Sequence, residues 1–337
     1  MSVILEHVSK AYGRQKALDD IGFRLEEGEI CGFLGPNGAG KSTTMKIITG
    51  CLNDYQGEVR IKEMNLRENP LKIKAIIGYL PEQNPLYPDL YIREYLLHVA
   101  RLYRVGRPVA KVNAIIERTG LEPEIQKKIG QLSKGYRQRV GLAQALVHDP
   151  EILILDEPTT VLTPQETDEL FEELKHLRDE GHTIIFISHK LYEVKKLCDR
   201  VSIMKNGRMV ATRNISEVTE ADISRLMVGR DVVEVIEKTK ANPKETILEA
   251  KGVTCRNNMG RTVLDHVSLR VRSGEILGLA GVEGNGQHEI LEAIAGMCPV
   301  VGGSICLEGK EISHSSIRAI RDLGVSHIPE DRMVEGT

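Results

Sequence analysis

The chain has 337 residues, which on typical domain sizes predicts about two domains, each long enough to bury a core. Its formal net charge of -3, its lack of Trp and its aromatic content of 4% provide neither a basic surface nor stacking platforms, so no nucleic-acid partner is expected. The apolar runs are far shorter than the roughly 20 residues of a membrane-spanning helix and the N-terminus lacks a signal-peptide pattern, which predicts a soluble, cytoplasmic protein.

In the first part of the chain, short apolar runs alternate with helical patterns. "EICGFLG", "EILILDE" and "TIIFISH" are typical of strands buried on both faces of a parallel sheet, and "QETDELFEELKHLRDEG" predicts a helix. Asn206-Gly207 predicts the turn of a late hairpin, and Thr219 three residues before Asp222 predicts the start of a short helix. The pattern indicates an α/β fold.

A set of glycines recurs along the chain at a constant spacing. The flanking stretch "ALDDIGFRLEEGEI" is also similar to the later "VLDHVSLRVRSGEI". We therefore predict a tandem duplication, with a first domain at 1–232, a charged linker at 233–245 and the N-terminal part of a second domain at 246–337. The recurring glycines are Gly28, Gly35, Gly40 and Gly57, which match Gly274, Gly281, Gly286 and Gly303 at an offset of 246 residues.

The segment "GPNGAGKS" lies after a predicted strand and before a predicted helix. It fits the phosphate-loop pattern G-x-x-x-x-G-K-[ST], in which backbone N–H groups and a helix N-terminus bind phosphate oxygens. Lys41 would bind the β- and γ-phosphates and Ser42 would offer its hydroxyl to Mg²⁺. The alternative is a glycine-rich turn with an exposed lysine. The predicted nucleotide-binding residues of this loop are Gly35, Pro36, Asn37, Gly38, Ala39, Gly40, Lys41, Ser42 and Thr43.

Three further polar residues follow predicted strands. Asp156 and Glu157 end "EILILDE", and His189 follows "TIIFIS". Because ligands of such sheets bind outside the carboxyl ends of the strands, these side chains should face the phosphate loop. Asp156 then suits a Mg²⁺ shell, Glu157 would orient or activate the attacking water, and His189 would reach the γ-phosphate. Solvated carboxylates and an exposed histidine are the alternatives.

The stretch "LSKGYRQRVGLAQAL", residues 132–146, resembles the signature motif of ABC-type ATPases. With the phosphate loop, "GYLPEQ", "LDEPT" and "SH" in the same order, the first copy resembles a complete ABC nucleotide-binding domain. This resemblance implies the P-loop NTPase fold of the ABC type, with a mixed central sheet, an antiparallel β subdomain and a helical subdomain. It also implies ATP and Mg²⁺ as ligands and ATP hydrolysis as the reaction.

The same resemblance implies roles for residues outside the phosphate loop. Tyr12 would stack on adenine, and the signature residues Ser133 and Gly135 would contact the γ-phosphate of ATP held by an opposing domain. Glu82 stands where the family usually has a glutamine, with Gln83 beside it. Either of these two residues is expected to sense the γ-phosphate and Mg²⁺.

The resemblance differs between the two parts of the chain. From about residue 157 onward, "EPTTVLTPQE", "LMVGR" and "HIPEDR" resemble tandem ATPases of sugar and nucleoside importers, with Thr163 where the wider family usually has Asp. Residues 1–150 are similar to ATPases of ABC-2-type exporters, including gliding-motility systems. The sequence therefore predicts a composite, with a seam near "ILILDEPT".

The second loop, "GLAGVEGNGQHE", keeps the glycines of a strand-turn-helix but has Gln287 in place of the lysine and His288 in place of the hydroxyl residue. It is expected to fold like the first loop and to be a weak catalytic site. Since the second copy stops before any signature, we expect a working site between the first copies of two chains, the phosphate loop of one facing the signature of the other. The competing expectation is a fragment whose remainder completes the second domain.

The leading functional prediction is the ATP-hydrolysing subunit of a sugar or nucleoside importer, bound peripherally to the inner face of the cell membrane. It would dock on transmembrane permease subunits through "EQNPLYPDLY", and a substrate-binding protein is a further partner. The alternatives are an ABC-2-type exporter ATPase with a vestigial tail, a soluble ABC protein outside transport, and an inactive fragment.

Overall fold

A computed structural model describes residues 1–228, 241–257, 260–281 and 284–329. The chain divides into two compact units, Met1–Glu234 and Val235–Thr337. This boundary falls inside the predicted linker 233–245, whose residues up to 240 lie outside the described residues, as do 330–337 of the predicted second domain.

The first unit contains ten strands and eight α-helices within its described residues. The strands are β1 (Val3–Tyr12), β2 (Gln15–Leu25), β3 (Ile30–Leu34), β4 (Gln56–Ile61), β5 (Met64–Asn65), β6 (Ile77–Leu80), β7 (Ile152–Asp156), β8 (Thr183–Ile187), β9 (Arg200–Lys205) and β10 (Arg208–Asn214). The helices are α1 (Lys41–Ile48), α2 (Pro70–Ala75), α3 (Ile92–Leu102), α4 (Pro108–Arg118), α5 (Lys134–Leu146), α6 (Pro164–Asp179), α7 (Leu191–Leu197) and α8 (Glu220–Val228).

A six-stranded sheet in the order β10-β9-β3-β8-β7-β6 forms the centre of this unit. Its strands are parallel except for β10, which pairs with β9 as an antiparallel hairpin, as the Asn206-Gly207 turn predicts. In β7, Ile152 and Ile154 belong to one hydrophobic core and Leu153 and Leu155 to another. The continuous apolar run is therefore explained by burial of both faces of the strand, which confirms the predicted α/β architecture.

An antiparallel sheet in the order β2-β1-β4-β5 packs on one face of the central sheet. The edge-to-face contact between Phe23 of β2 and Phe33 of β3, with ring centroids 5.4 Å apart, joins the two layers. Helices α3, α4 and α5 pack against one another as a helical subdomain, and Tyr95 of α3 shares the core on that side with Leu153 of β7. These are the two subdomains that the resemblance implies.

Helix starts follow the residue types at their first positions. Thr163 accepts a hydrogen bond from the backbone N–H of Glu166, whose carboxylate accepts from the N–H of Thr163 in return. This capping box gives Thr163, which departs from the family's usual Asp, a structural role at the start of α6. The box predicted at α8 is confirmed, since Thr219 and Asp222 exchange the same pair of bonds.

The second unit repeats the strand order of the antiparallel sheet, as β12-β11-β13-β14. Gly57 and its counterpart Gly303 both have positive φ, 90° and 78°, and at both an added Cβ would lie 2.3 Å from a backbone oxygen of the neighbouring strand. In neither unit do the described helices reach the length and apolar character that crossing a membrane requires. The elements are β11 (Thr246–Arg256), β12 (Thr262–Arg272), α9 (Gln287–Ala295), β13 (Val300–Leu307), β14 (Lys310–Glu311) and α10 (Ile317–Asp322).

The strand expected before the second loop is absent from the described structure, so that part of the strand-turn-helix prediction is wrong. Residues 275–281 are irregular, and Ile276 is fully exposed where its counterpart Ile30 in β3 is fully buried. The physical reason is pairing: β3 lies between β8 and β9, whereas no described strand of the second unit pairs with 275–281. The turn and helix do form, since Gly286, with φ 99°, precedes α9.

Candidate functional site

The loop between β3 and α1 depends on close backbone approaches that only glycine allows. Gly40 has φ 106° at the N-terminus of α1, and an added Cβ there would lie 2.7 Å from the carbonyl oxygen of Ala17. An added Cβ at Gly35 would lie 2.3 Å from the carbonyl oxygen of Met204. The loop is therefore packed against its neighbours and leads directly into the N-terminus of α1, a favourable position for an anion.

Lys41 lies at the first position of α1 and folds back over the loop. Its Nζ donates hydrogen bonds to the carbonyl oxygens of Gly35 at 2.6 Å and Pro36 at 3.2 Å. Burial lowers the pKa of Lys41, while the carboxylates of Glu157 and Asp156 oppose that shift. A half-buried ammonium beside a helix N-terminus is suited to bind phosphate oxygens.

The loop opens on a cavity of about 850 Å³ that collects residues from distant parts of the chain. This volume is within the range of small-molecule sites. Among the residues predicted from sequence, the cavity lining includes Tyr12, Glu82, Asp156, Glu157 and His189 together with the whole loop 35–43.

Two consecutive carboxylates close the end of the cavity at the carboxyl end of β7. Asp156 is 5% exposed, and burial raises its pKa to about 6, with the charges of Glu82 and Glu157 adding to the shift. Burial also raises the pKa of Glu157, which has φ 52° and whose backbone N–H donates to the carbonyl oxygen of Ile187 at 3.0 Å. This backbone hydrogen bond thus fixes Glu157, which directly follows β7, beside the end of β8.

His189 follows β8 and contacts Glu157 directly. Its Nδ1 lies 2.9 Å from Oε2 of Glu157, and this contact opposes the effect of burial on the pKa of the carboxyl group. The His189 side chain is 64% exposed, whereas that of Glu157 is 13% exposed. The pair therefore presents a carboxylate with a defined orientation and an imidazole that a ligand in the cavity can reach.

Sequence reasoning missed a buried carboxylate that connects the loop after β7 with the loop after β8. Glu193 of α7 is fully buried and accepts hydrogen bonds from the hydroxyls of Thr159, at 2.7 Å, and Ser188, at 2.8 Å. Its other oxygen pairs with Nζ of Lys190 at 3.0 Å. Thr159 follows Glu157 by two residues and Ser188 precedes His189, so Glu193 holds both loops in one arrangement.

Several cavity residues also carried no recognisable motif. Gln15 pairs with Tyr12 across the hairpin between β1 and β2, a relation that the strand pattern around Gly13 could have indicated. Thr160 follows the carboxylates in the loop after β7. The lining residues that sequence reasoning missed are Gln15, Lys16, Ala17, Thr160 and Met227.

Glu82 and Gln83 occupy different places. Glu82 lines the cavity, whereas Gln83 is exposed and is not part of the lining. The next residue, Asn84, donates a hydrogen bond from Nδ2 to the carbonyl oxygen of Arg137 in α5 at 3.1 Å. The loop after β6 therefore links the cavity to α5, the helix formed by the signature stretch.

The signature residues do not belong to the cavity. The Ser133 hydroxyl accepts a hydrogen bond from the N–H of Tyr136 at 3.2 Å and caps α5, and Gly135 lies in the first turn of that helix. Neither lines the cavity that contains Lys41. Their predicted contact with a phosphate therefore requires another nucleotide-binding domain and stays a prediction.

The donor groups at the cavity suit a magnesium nucleotide. Proteins usually hold Mg²⁺ through one or two carboxylates together with phosphate oxygens of the substrate. Ser42 and Asp156 provide one hydroxyl and one carboxylate in the same cavity. Across the described residues, no cluster of three or more His, Cys, Asp or Glu side chains is arranged to hold a metal ion unaided.

The corresponding loop of the second unit has a neutral side chain at the lysine position. An added Cβ on Gly281 would lie 2.2 Å from Nε2 of Gln287, so the amide folds over its loop much as Lys41 folds toward Gly35. His288 stands in place of the hydroxyl and lies 3.3 Å from a carboxylate oxygen of Glu292. This loop offers neither the fixed positive charge nor the hydroxyl of the first.

A largely parallel sheet, a glycine loop between β3 and a helix, and carboxylates at the carboxyl end of β7 in the same sheet together define a P-loop nucleotide-binding unit. The family model described as ABC transporter matches residues 18–160. Among solved structures, an ATP-binding subunit of an ABC transporter aligns with 27% identity and a TM-score of 0.63, covering 68% of this chain and 99% of that one. A nucleotide-free ATP-binding cassette from an ABC transporter aligns with 25% identity and a TM-score of 0.59, covering 69% of this chain and 97% of that one.

Curated relatives match along nearly the whole chain. A glucose import ATP-binding protein of Haloferax volcanii is 37% identical over 97% of this chain and 66% of its own length, and a nucleoside import ATP-binding protein of Lactococcus lactis is 38% identical over 98% and 66%. A guanosine import ATP-binding protein of Bacillus subtilis is 36% identical over 100% of this chain and 68% of its own length. The chain belongs to the family of ABC transporter ATP-binding proteins.

These matches also bear on the two halves of the sequence. The chain spans about two thirds of the length of these curated relatives. Because the matches cover 97% or more of the chain, importer relatives match residues 1–150 as well as the residues after 157. The resemblance of the N-terminal half to exporter ATPases stays a prediction.

Proposed function

We propose that the first unit binds ATP with Mg²⁺ and hydrolyses it. The observation that carries this proposal is the convergence of the loop 35–43, Asp156, Glu157 and His189 on one cavity. Lys41 and the loop N–H groups would hold the β- and γ-phosphates, and Tyr12 would stack on the base. Ser42 and Asp156 would hold the ion, which when bound neutralises charge on the β- and γ-phosphate oxygens.

Glu157 is suited to act on the attacking water. The water would give a proton to the Glu157 carboxylate while its oxygen forms a bond to the γ-phosphorus. The bond from that phosphorus to the β–γ bridging oxygen would break, and ADP and inorganic phosphate would leave. A carboxyl group whose pKa is raised by burial is a better proton acceptor than an exposed one. His189, held 2.9 Å from Glu157, would orient this carboxylate and donate to the γ-phosphate.

A second nucleotide-binding domain would complete the site. Ser133 and Gly135 do not line the cavity beside Lys41, which supports a partner domain as the source of these residues. The partner is the first unit of a second copy, or a further domain of a longer protein. The second-unit loop, with Gln287 in place of lysine, would contribute little to hydrolysis.

In the whole protein, hydrolysis would drive transport through separate transmembrane permease subunits at the cytoplasmic face of the membrane. The names of the curated relatives, which are import ATP-binding proteins for glucose, nucleosides and guanosine, support a sugar or nucleoside importer. A substrate-binding protein would deliver the transported molecule.

The Glu157→Gln variant tests this proposal because it keeps the shape of the side chain while removing its negative charge. With ATP and Mg²⁺ it should accumulate as a dimer on a sizing column, and wild-type ATPase activity per mole should rise with protein concentration. The Lys41→Met variant should remain monomeric under the same conditions. Turnover independent of concentration, with no ATP-driven dimer of Glu157→Gln, would refute a site shared between the first units of two copies.

A further inference from the structure

A buried lysine lies beside the aromatic residue that the proposed function assigns to the nucleotide base. Lys10 is 8% exposed, and its Nζ donates a hydrogen bond to Oδ2 of Asp54 at 2.7 Å. The same Nζ lies 5.0 Å from the centroid of the Tyr12 ring. Lys10 and Tyr12 are two residues apart in β1, so their side chains project from the same face of the strand.

Burying an ammonium is unfavourable unless it gains partners of opposite charge or polarisable character. Lys10 has both kinds, the carboxylate of Asp54 and the π face of Tyr12. The Asp54 side chain is almost fully exposed, so the carboxylate faces water while the lysine does not. The ammonium is therefore held at the Tyr12 ring by its own burial as well as by the ion pair.

The position of Tyr12 shows what this contact can do. Tyr12 is half exposed, lines the cavity, and is the last residue of β1 before a tight hairpin turn at Gly13, which has φ 58°. An exposed aromatic ring at a hairpin end is free to rotate unless something holds one of its faces. A cation within about 6 Å of the centroid attracts the ring and draws electron density toward itself. The opposite face then becomes a better stacking surface for an electron-rich purine.

We propose that Lys10 is a positioning residue for the nucleotide base, holding one face of the Tyr12 ring so that the other face stacks on adenine. Lys10 itself touches neither the base nor the phosphates. This inference rests on the proposed ATP-binding function, and it adds a determinant of base affinity that is independent of the phosphate loop.

The experiment compares a ligand that has a base with one that lacks it. Dissociation constants for ATP and for inorganic tripolyphosphate are measured by calorimetry on the full chain and on its Lys10→Met and Lys10→Arg variants. Loss of a cation–π contact of ordinary strength predicts that Lys10→Met binds ATP about three- to tenfold more weakly, with tripolyphosphate changed less than about twofold. Lys10→Arg, which keeps the cation, should retain most of the ATP affinity.

Two controls separate positioning from charge and from folding. Lys16→Met removes a cavity lysine that pairs with Asp19 at 2.9 Å, and it should change ATP and tripolyphosphate binding by the same factor. In a Tyr12→Leu background, Lys10→Met should have no further effect on ATP binding, since its partner ring is absent. Thermal unfolding of every variant checks that the first unit is folded.

Three outcomes would overturn the inference. Equal weakening of ATP and tripolyphosphate in Lys10→Met would make Lys10 a general electrostatic or structural residue, as would full additivity with Tyr12→Leu. Loss of ATP affinity in Lys10→Arg equal to that in Lys10→Met would exclude a role for the cation. If the wild-type chain binds neither ligand, the proposed nucleotide site itself fails, and the assignment of Lys10 fails with it.

Discussion

Replacement of Glu193 by glutamine tests whether one buried carboxylate organises the edge of the sheet that carries Glu157 and His189. The substitution keeps size and shape but removes the charge that Thr159 and Ser188 face at 2.7 and 2.8 Å. Hydrogen bonds to a charged group contribute about 1.5–3 kcal/mol and those to a neutral group about 0.5–1.5 kcal/mol, so two weakened bonds predict a loss of about 2 kcal/mol. The Lys190 pair adds little, because the lysine side chain is a third exposed.

For a unit of this size, a loss of about 2 kcal/mol corresponds to a fall in melting temperature of about 4–8 °C. The assay is thermal unfolding followed by circular dichroism, accompanied by ATPase measurements, in which we expect kcat to fall more than the apparent affinity for ATP changes. The reason is that Glu193 holds the loops of Glu157 and His189 without lining the cavity.

A matched control is available in α6. Glu172 pairs with Lys175 at 2.9 Å with the same three-residue spacing, and Lys175 is as exposed as Lys190, but Glu172 is 75% exposed. Glu172→Gln should therefore change stability by less than about 0.5 kcal/mol. If Glu193→Gln has the same melting temperature as the Glu172→Gln control and keeps full activity, the role of Glu193 in holding the two loops is refuted.

Two further predictions concern the nucleotide loop and the metal site. Gly40→Ala should abolish ATP binding in an equilibrium titration, because its φ of 106° and the 2.7 Å approach to Ala17 exclude a Cβ; retained binding would contradict this packing. Asp156, whose pKa is raised to about 6 against about 3.9 in an unfolded chain, holds its proton more tightly when folded, so its contribution to stability falls as pH rises from about 4 to about 6. Since Mg²⁺ competes with that proton, the gain in ATP affinity that Mg²⁺ provides should be about fourfold smaller at pH 5.5 than at pH 7.5. In Asp156→Asn, only the part of this pH effect that comes from the titration of ATP itself should remain. An identical pH profile in the two proteins would exclude Asp156 as the metal-binding carboxylate.

Much of the site was predictable because its signals are local. A glycine loop between a buried strand and a helix shapes its own backbone, and polar side chains at the carboxyl ends of the neighbouring parallel strands β7 and β8 must meet at one edge of the sheet. The same holds for the Thr219 and Asp222 capping box, where both partners lie within one turn. Such features need no knowledge of the rest of the fold.

The features that sequence reasoning missed depend on distant partners. Glu193 reads as an ordinary helix residue until the fold brings Thr159, 34 positions away, within 2.7 Å. Lys10 reads as a solvated charge on a strand until Asp54 reaches it. The strand expected before the second loop does not form for the same kind of reason. The stretch around Ile276 has the apolar pattern of a buried strand, but no described strand of the second unit pairs with it.

Phosphate release in the presence of ATP and Mg²⁺ is the most direct test of the central claim, that the first unit contains the hydrolytic site. We expect wild-type protein to release phosphate, Lys41→Met and Glu157→Gln to lose at least about a hundredfold in kcat, and Gln287→Met, at the matching position of the second unit, to retain the wild-type rate. Hydrolysis that survives Lys41→Met and Glu157→Gln, or that is lost in Gln287→Met, would contradict this assignment.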